Sequence, residues 1–173
     1  MAIRVVLVDD QALVRGALAA LLDLEIDLTV VGEASSATEA IALAASVTPD
    51  VVLMDVDMPG MDGIEATAAL RASGSTARVL IVTTYGRPGY LRRALQAGAC
   101  GFVVKDTPAR LLADAVRRVH TGMRVVDPAL AMDSLIAGDS PLTAREADVL
   151  RAVLDGGSIT APRLAPEART RLP

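Results

Sequence analysis

Asp9-Asp10, Asp55 with Asp57 two residues on, Thr83-Thr84 and Lys105 each stand where a short apolar run of this 173-residue chain gives out. Carboxylates, hydroxyls and an ammonium are the groups that hold a hard cation and handle a phosphoryl group. Asp10 and Asp55 suit Mg2+, which keeps several waters and takes one or two carboxylates plus phosphate oxygens. Asp9 then orients the pair or binds through water. Lys105 is the only lysine among seventeen Lys and Arg residues. An ammonium is a compact point charge on a flexible stem, whereas a guanidinium is a planar fork. In so small a site Lys105 would reach a phosphoryl oxygen whose charge the metal meets from the other side. Singly, each of these residues reads equally well as a cap or a turn residue. It is their common position, at the ends of several apolar runs, that points to one site.

The elements that must position them are short and regular. IRVVLV (3–8), LTVVGE (28–33), DVVLMD (50–55), ARVLIVTT (77–84) and GFVVK (101–105) are nearly continuous apolar runs, the pattern of strands buried on both faces. Helix-period segments lie between them, at 11–23, 36–46, 62–73, 88–98 and 108–122. The first puts Val14, Leu18, Leu21 and Leu22 on one face. Ser36 and Glu39 resemble a capping box, Gly98 suits a C-terminal cap, and Pro108 suits a first helical position. The order βαβαβαβαβα implies a doubly wound, five-stranded parallel sheet with helices on both faces. In such sheets ligands bind beyond the carboxyl ends of the strands. Residues 123–141 mix Pro, Gly and Asp with short apolar pieces and read as linker. Residues 142–157 resume as a helix, with Thr143 and Glu146 as a capping box.

Composition bounds the function. The formal charge of −4 argues against a whole-chain basic footprint for nucleic acid, although residues 158–173 are locally basic. One cysteine, Cys100, permits no internal disulfide and reads as a small buried apolar residue. No stretch approaches the ~20 apolar residues of a membrane span, and MAIRVVLVDD lacks a signal peptide's apolar region, so a cytoplasmic protein is expected. His120, late in a helical segment, reads as an ordinary packed or exposed histidine.

Asp9-Asp10, LMDVDMPGMDG (53–63), VTTY (82–85) and GFVVKD (101–106) together resemble the receiver domain of bacterial two-component response regulators, a flavodoxin-like fold. The resemblance spans residues 3 to about 121. It implies that Asp55 is the phosphoacceptor, converted to an aspartyl phosphate by a sensor histidine kinase. It implies Mg2+ on Asp9, Asp10, Asp55 and the backbone carbonyl of Asp57, with Lys105 and Thr83 serving the phosphoryl group. Thr83 would be the switch hydroxyl, and Phe102 stands where the family keeps a rotating aromatic; a plain core role for Phe102 is compatible with this. Such a domain catalyses its own phosphorylation and slow dephosphorylation. The expected organisation is a receiver at 1–121, a linker at 122–141, the first helix of an output domain at 142–157 and a disordered tail at 158–173.

LTAREADVLRAVLDG (142–156) is similar to the opening helix of the LuxR-type helix-turn-helix in the NarL/FixJ subfamily, whose members control transcription by binding DNA. SITAPRLAPEARTRLP follows where a recognition helix is expected, and its prolines oppose a helix. Sequence-specific DNA binding by these 173 residues is therefore not expected. A receiver-only module, acting as a phosphate sink or as a homodimer partner, is an alternative. A haloacid-dehalogenase-like phosphatase is another: VVLMDVD resembles its Asp-x-Asp motif, but Asp9-Asp10 precede the nucleophile instead of following the lysine. Two departures from the subfamily stand out. GRPGY (86–90) replaces commonly acidic residues, and Tyr85 would sit near the path of hydrolytic water.

Overall fold

The structure is a computed structural model; it describes residues 1–84, 87 and 89–131, and the backbone of 159–160. The expected segments form in order: β1 (Ile3–Val8), α1 (Ala12–Leu22), β2 (Leu28–Ala34), α2 (Ala37–Val47), β3 (Val51–Asp55), α3 (Gly63–Ala72), β4 (Arg78–Thr83), α4 (Tyr90–Ala97), β5 (Gly101–Val104) and α5 (Ala109–His120). Burial on both faces explains the apolar runs of β1, β3, β4 and β5, whereas β2, at the edge of the sheet, is only partly buried. Val5 and Leu7 of β1, Val51 and Leu53 of β3, and Leu80 and Val82 of β4 face one layer, with Leu18, Leu22, Leu112 and Val116 of α1 and α5. The alternate residues Val6, Val8, Val52, Met54, Val79 and Ile81 face the layer of α2, α3 and α4. In α2 the buried residues are Ala37, Ala40 and Ala44, small enough for the helix to lie close on the sheet.

The parallel sheet runs β2-β1-β3-β4-β5 and then takes a further strand, β6 (Met123–Val126), so it has six parallel strands and not five. Met123–Val126 lie within the segment that the sequence reads as linker. Val125 and Val126 pair with Gly101 and Phe102, and Val125, Val126, Leu130 and Ala131 are buried. A four-residue strand closed by Asp127-Pro128 is too short to carry a period of its own. Its stability comes from the partner strand, where a Cβ on Gly101 would lie 2.8 Å from the Val125 carbonyl oxygen. Ile159–Thr160 (β7) pairs antiparallel with Met123 and Arg124. The expected output helix at 142–157, the rest of the tail, and Tyr85 lie outside the described residues.

Smaller expectations also shift. Leu21 is 40 % exposed and turns away from the core that Leu18 and Leu22 enter. Ser36 does cap α2, but the Glu39 carboxylate reaches back to Ser35, accepting from its N–H and its hydroxyl at 2.7 and 2.8 Å. A full reciprocal capping box forms instead at α3, between Asp62 and Glu65. Pro108 is the N-cap of α5, one place before the first helical residue, and Gly98 caps α4 with φ 99°. Cys100 packs against the α1/α5 core, as expected for a small apolar residue.

Candidate functional site

The strand order reverses at β1: the chain passes from β1 out to β2 and returns to β3 on the other side of β1. The crevice this leaves at the carboxyl ends of β1 and β3 is where open α/β sheets bind ligands. β1 ends at Val8, so Asp9 and Asp10 follow directly into the crevice, and Asp55 is the last residue of β3. One carboxylate oxygen from each of the three can be chosen so that all lie within 4.8 Å of one another. Asp9 and Asp55 are each 2 % exposed, whereas Asp10 faces solvent.

Lys105 follows β5 and points into the same crevice. Its Nζ is 2.7 Å from Asp9 Oδ2 and 3.1 Å from Asp55 Oδ2, with the side chain 11 % exposed. Its backbone N–H donates to the Thr83 carbonyl at 2.7 Å, tying the end of β5 to the end of β4. Asp9 Oδ1 accepts from the Gln11 N–H and Asp55 Oδ1 from the Val56 N–H. Beyond the ion pairing, Asp55 Oδ2 and Lys105 Nζ have no hydrogen-bond partner among the described residues.

Burial raises the Asp55 pKa to about 6; Lys105 opposes the rise and the Asp9 charge adds to it. Burial alone would lower the Lys105 pKa, but Asp9 and Asp55 outweigh it and hold the ammonium above its usual value. Two buried carboxylates and one ammonium leave excess negative charge in a poorly solvated place. The donor set is therefore of the hard-oxygen kind that a divalent cation takes, and Asp9, Asp10 and Asp55 could hold one.

Thr83 is fully buried at the end of β4, beside β3 and β5. Phe102 is fully buried in the α2–α4 layer, beneath the strand end that carries Lys105, so its core reading holds. Asp57 is exposed at the rim. His120 only offers its carbonyl to Arg78 at 2.6 Å, away from the crevice at the other end of the sheet.

Two residues of the site were not singled out from the sequence. Arg15, in the first turns of α1, donates to the Asp9 carbonyl at 2.6 Å and pairs with Glu33 at 3.1 Å, bracing the loop that carries both acids. Gly63, which the motif LMDVDMPGMDG contains, opens α3 against the end of β3. A Cβ there would lie 1.8 Å from the Asp55 carbonyl oxygen. Gly63→Ala is therefore expected to push α3 off the strand end and cost about 3 kcal/mol in an overpacked site. Denaturant unfolding checks this: a variant within 0.5 kcal/mol of wild type, near the scatter of ordinary surface changes, would show that the contact relaxes freely.

An acid-lined crevice with a buried lysine, at the switch point of a doubly wound sheet, is the arrangement expected of a receiver domain. The family model for the response regulator receiver domain matches residues 5–117. The transcriptional regulatory protein DesR of Bacillus subtilis (strain 168) is 42 % identical over 154 residues, covering 89 % of this chain and 76 % of DesR. Among solved structures, the signal receiver domain of the response regulator NarL from Mycobacterium tuberculosis is 38 % identical. It superposes with a TM-score of 0.68 over 70 % of this chain and 98 % of that one. A LuxR-family two-component response regulator from Aurantimonas is 35 % identical, with a TM-score of 0.74 over 79 % of this chain and 98 % of its own. The chain belongs to the response regulator family and carries the receiver domain of a two-component regulator of the LuxR type.

Proposed function

We propose that Asp55 accepts a phosphoryl group from a sensor histidine kinase and that the resulting aspartyl phosphate sets the state of a transcription regulator. The observation that carries this reading is the placement of the Asp55 carboxylate: it ends the strand between the acid pair and Lys105, buried, with Oδ2 held by no hydrogen bond beyond the Lys105 ion pair. An ionised Asp55 oxygen attacks the phosphorus of a phosphohistidine or a small acyl phosphate. A new P–O bond forms as the bond from phosphorus to the donor's nitrogen or oxygen breaks, and the leaving imidazole or carboxylate departs with the electron pair of that bond. Lys105, held 3.1 Å from Asp55 Oδ2, follows the transferred charge as a point cation. Asp9 keeps Lys105 in place through the 2.7 Å ion pair. Mg2+, bound by Asp9, Asp10, Asp55 and the Asp57 carbonyl, would supply the charge neutralisation on the other side of the phosphoryl group.

Thr83, buried at the end of β4, would be the switch hydroxyl that moves toward the phosphoryl group. Loss of the phosphoryl group is hydrolysis by a water attacking the same phosphorus. No helix among the described residues is long and apolar enough to cross a membrane, which suits a kinase-coupled module working in the cytoplasm. Homodimerisation would be the first consequence of phosphorylation.

Incubation with acetyl phosphate and Mg2+, followed by chemical trapping and peptide mapping, tests the acceptor. The label is expected on the peptide carrying Asp55; a label elsewhere, or none, refutes the reading. The DesR-type role in transcription implies DNA as a partner of the whole family architecture. For these 173 residues a gel shift against the promoters nearest the gene is expected to show no competitor-resistant complex, because the prolines in the sequence of residues 158–173 oppose a reading helix. A discrete complex at moderate salt would overturn that expectation.

A further inference from the structure

Arg87, before α4, and Tyr90, its first residue, have no part in the chemistry above, yet they reach the rim of the site. Tyr90 Oη donates to Asp57 Oδ1 at 3.3 Å, and Arg87 Nη2 lies 3.8 Å from the same oxygen. The guanidinium carbons of Arg87 and Arg93 stand 5.7 and 5.8 Å from the centre of the Tyr90 ring. Arg93 Nη2 is 3.2 Å from Asp62 Oδ2, the N-cap of α3. Two cations thus flank one aromatic ring, and each ends on a carboxylate of the β3–α3 loop. That arrangement holds the ring by cation–π attraction and aims its hydroxyl at Asp57.

Asp57 is two residues beyond Asp55, so their Cα atoms are at most about 7 Å apart. Its carboxylate is 43 % exposed at the mouth of the crevice. Asp9, Asp10 and Asp55 already make that mouth negative. A dianionic donor approaching Asp55 would meet one more negative charge if Asp57 stood alone. Of the other arginines described around the crevice and α4, Arg15 pairs with Glu33 and Arg93 with Asp62. Arg87 is the cation that faces Asp57.

We propose that Arg87 and Tyr90 are positioning residues that keep the Asp57 carboxylate neutralised and turned toward α4, so that small anionic phosphodonors gain access to Asp55. This rests on the Asp55 reading above. The effect is electrostatic and acts on approach: surface charges this close change association by a few-fold to tenfold at low salt and little at high salt.

The test is the second-order rate constant for labelling by acetyl phosphate with saturating Mg2+, at about 0.01 M and about 1 M ionic strength. Arg87→Ala is expected to slow labelling roughly 3- to 10-fold at the lower salt and to match wild type within about twofold at the higher. Arg87→Lys, which keeps the charge, should stay within about twofold throughout. Tyr90→Phe, which loses the hydrogen bond to Asp57, should slow the low-salt rate by about two- to threefold. Equal rates for Arg87→Ala and wild type at low salt would overturn the proposal. So would a deficit that persists unchanged at high salt, since that marks a merely structural role. A label that persists on Asp55→Asn would instead refute the acceptor reading and, with it, this one.

Discussion

Asp55→Asn is expected to abolish Mg2+-dependent labelling by acetyl phosphate and, at the same time, to make the metal-free receiver more stable. The first effect follows from the loss of the buried carboxylate that stands between the acid pair and Lys105. The second follows from the cost of keeping that carboxylate charged. Its pKa rises from 3.8 to about 6 on folding, chiefly through burial. A raised carboxyl pKa means that the folded state holds the proton more tightly than the unfolded state does. Its contribution is thus fully present below about pH 4 and is lost as the pH rises through about 6. At neutral pH the ionised Asp55 costs up to roughly 3 kcal/mol, because each pKa unit is worth about 1.4 kcal/mol.

Denaturant unfolding of the metal-free protein at pH 4.5 and pH 7.5 should therefore show wild type losing stability over this interval while Asp55→Asn changes much less. Asp27 and Glu39 have lowered pKa values, so their contributions fade only at still lower pH and do not mask the trend. Saturating Mg2+ should reverse the order, because a cation that binds the folded site stabilises wild type by mass action. Parallel pH profiles for the two proteins would refute the electrostatic account of the site.

Lys105→Arg is expected to fold normally, yet to lose on the order of tenfold or more of its labelling rate and its phosphorylation-dependent dimerisation. The ammonium fits between Asp9 and Asp55 at 2.7 and 3.1 Å with its side chain 11 % exposed. A guanidinium keeps the positive charge but is planar, wider and longer, so it does not fit the enclosed place of Nζ between the two carboxylates without displacing them. Because the charge is kept, the fold should lose little: the two buried carboxylates still have a cation. The comparison with Lys105→Met separates charge from shape. That variant leaves Asp9 and Asp55 unneutralised, raises the Asp55 pKa further and should slow labelling about a hundredfold. A Lys105→Arg protein that is labelled and dimerises like wild type would remove the reason for a single lysine in a chain of arginines.

Much of the scaffold could be read from residue order, for a definable reason. A strand buried on both faces must be apolar throughout, so β1, β3 and β4 announce themselves without any knowledge of their neighbours. The acids stand at the ends of β1 and β3 and the lysine follows β5, and so their convergence could be inferred from topology alone. β6 could not, because its four residues are stable only against Gly101 and Phe102. Leu21 matched the helical period but sits at the margin of the buried stripe, where a difference of one position on the wheel decides exposure. The brace in which Arg117 donates to Glu25 and Asp27 joins residues some ninety positions apart and has no local signature.

By itself, the sequence determined which chemical groups stand at the strand ends, the order of the elements that carry them, and a motif set specific enough to name a family. Those are local properties: side-chain type, period, and the residue that follows a run. The tertiary structure decided what those groups do to one another. It brought three carboxylates to within 4.8 Å, set Lys105 against two of them, pressed Gly63 onto the Asp55 carbonyl and turned Asp57 toward Tyr90 and Arg87. Burial and through-space charge depend on atoms far apart in the chain. The poised ionisation of Asp55 and the charge at the mouth of its crevice therefore exist only once the sheet has closed over them.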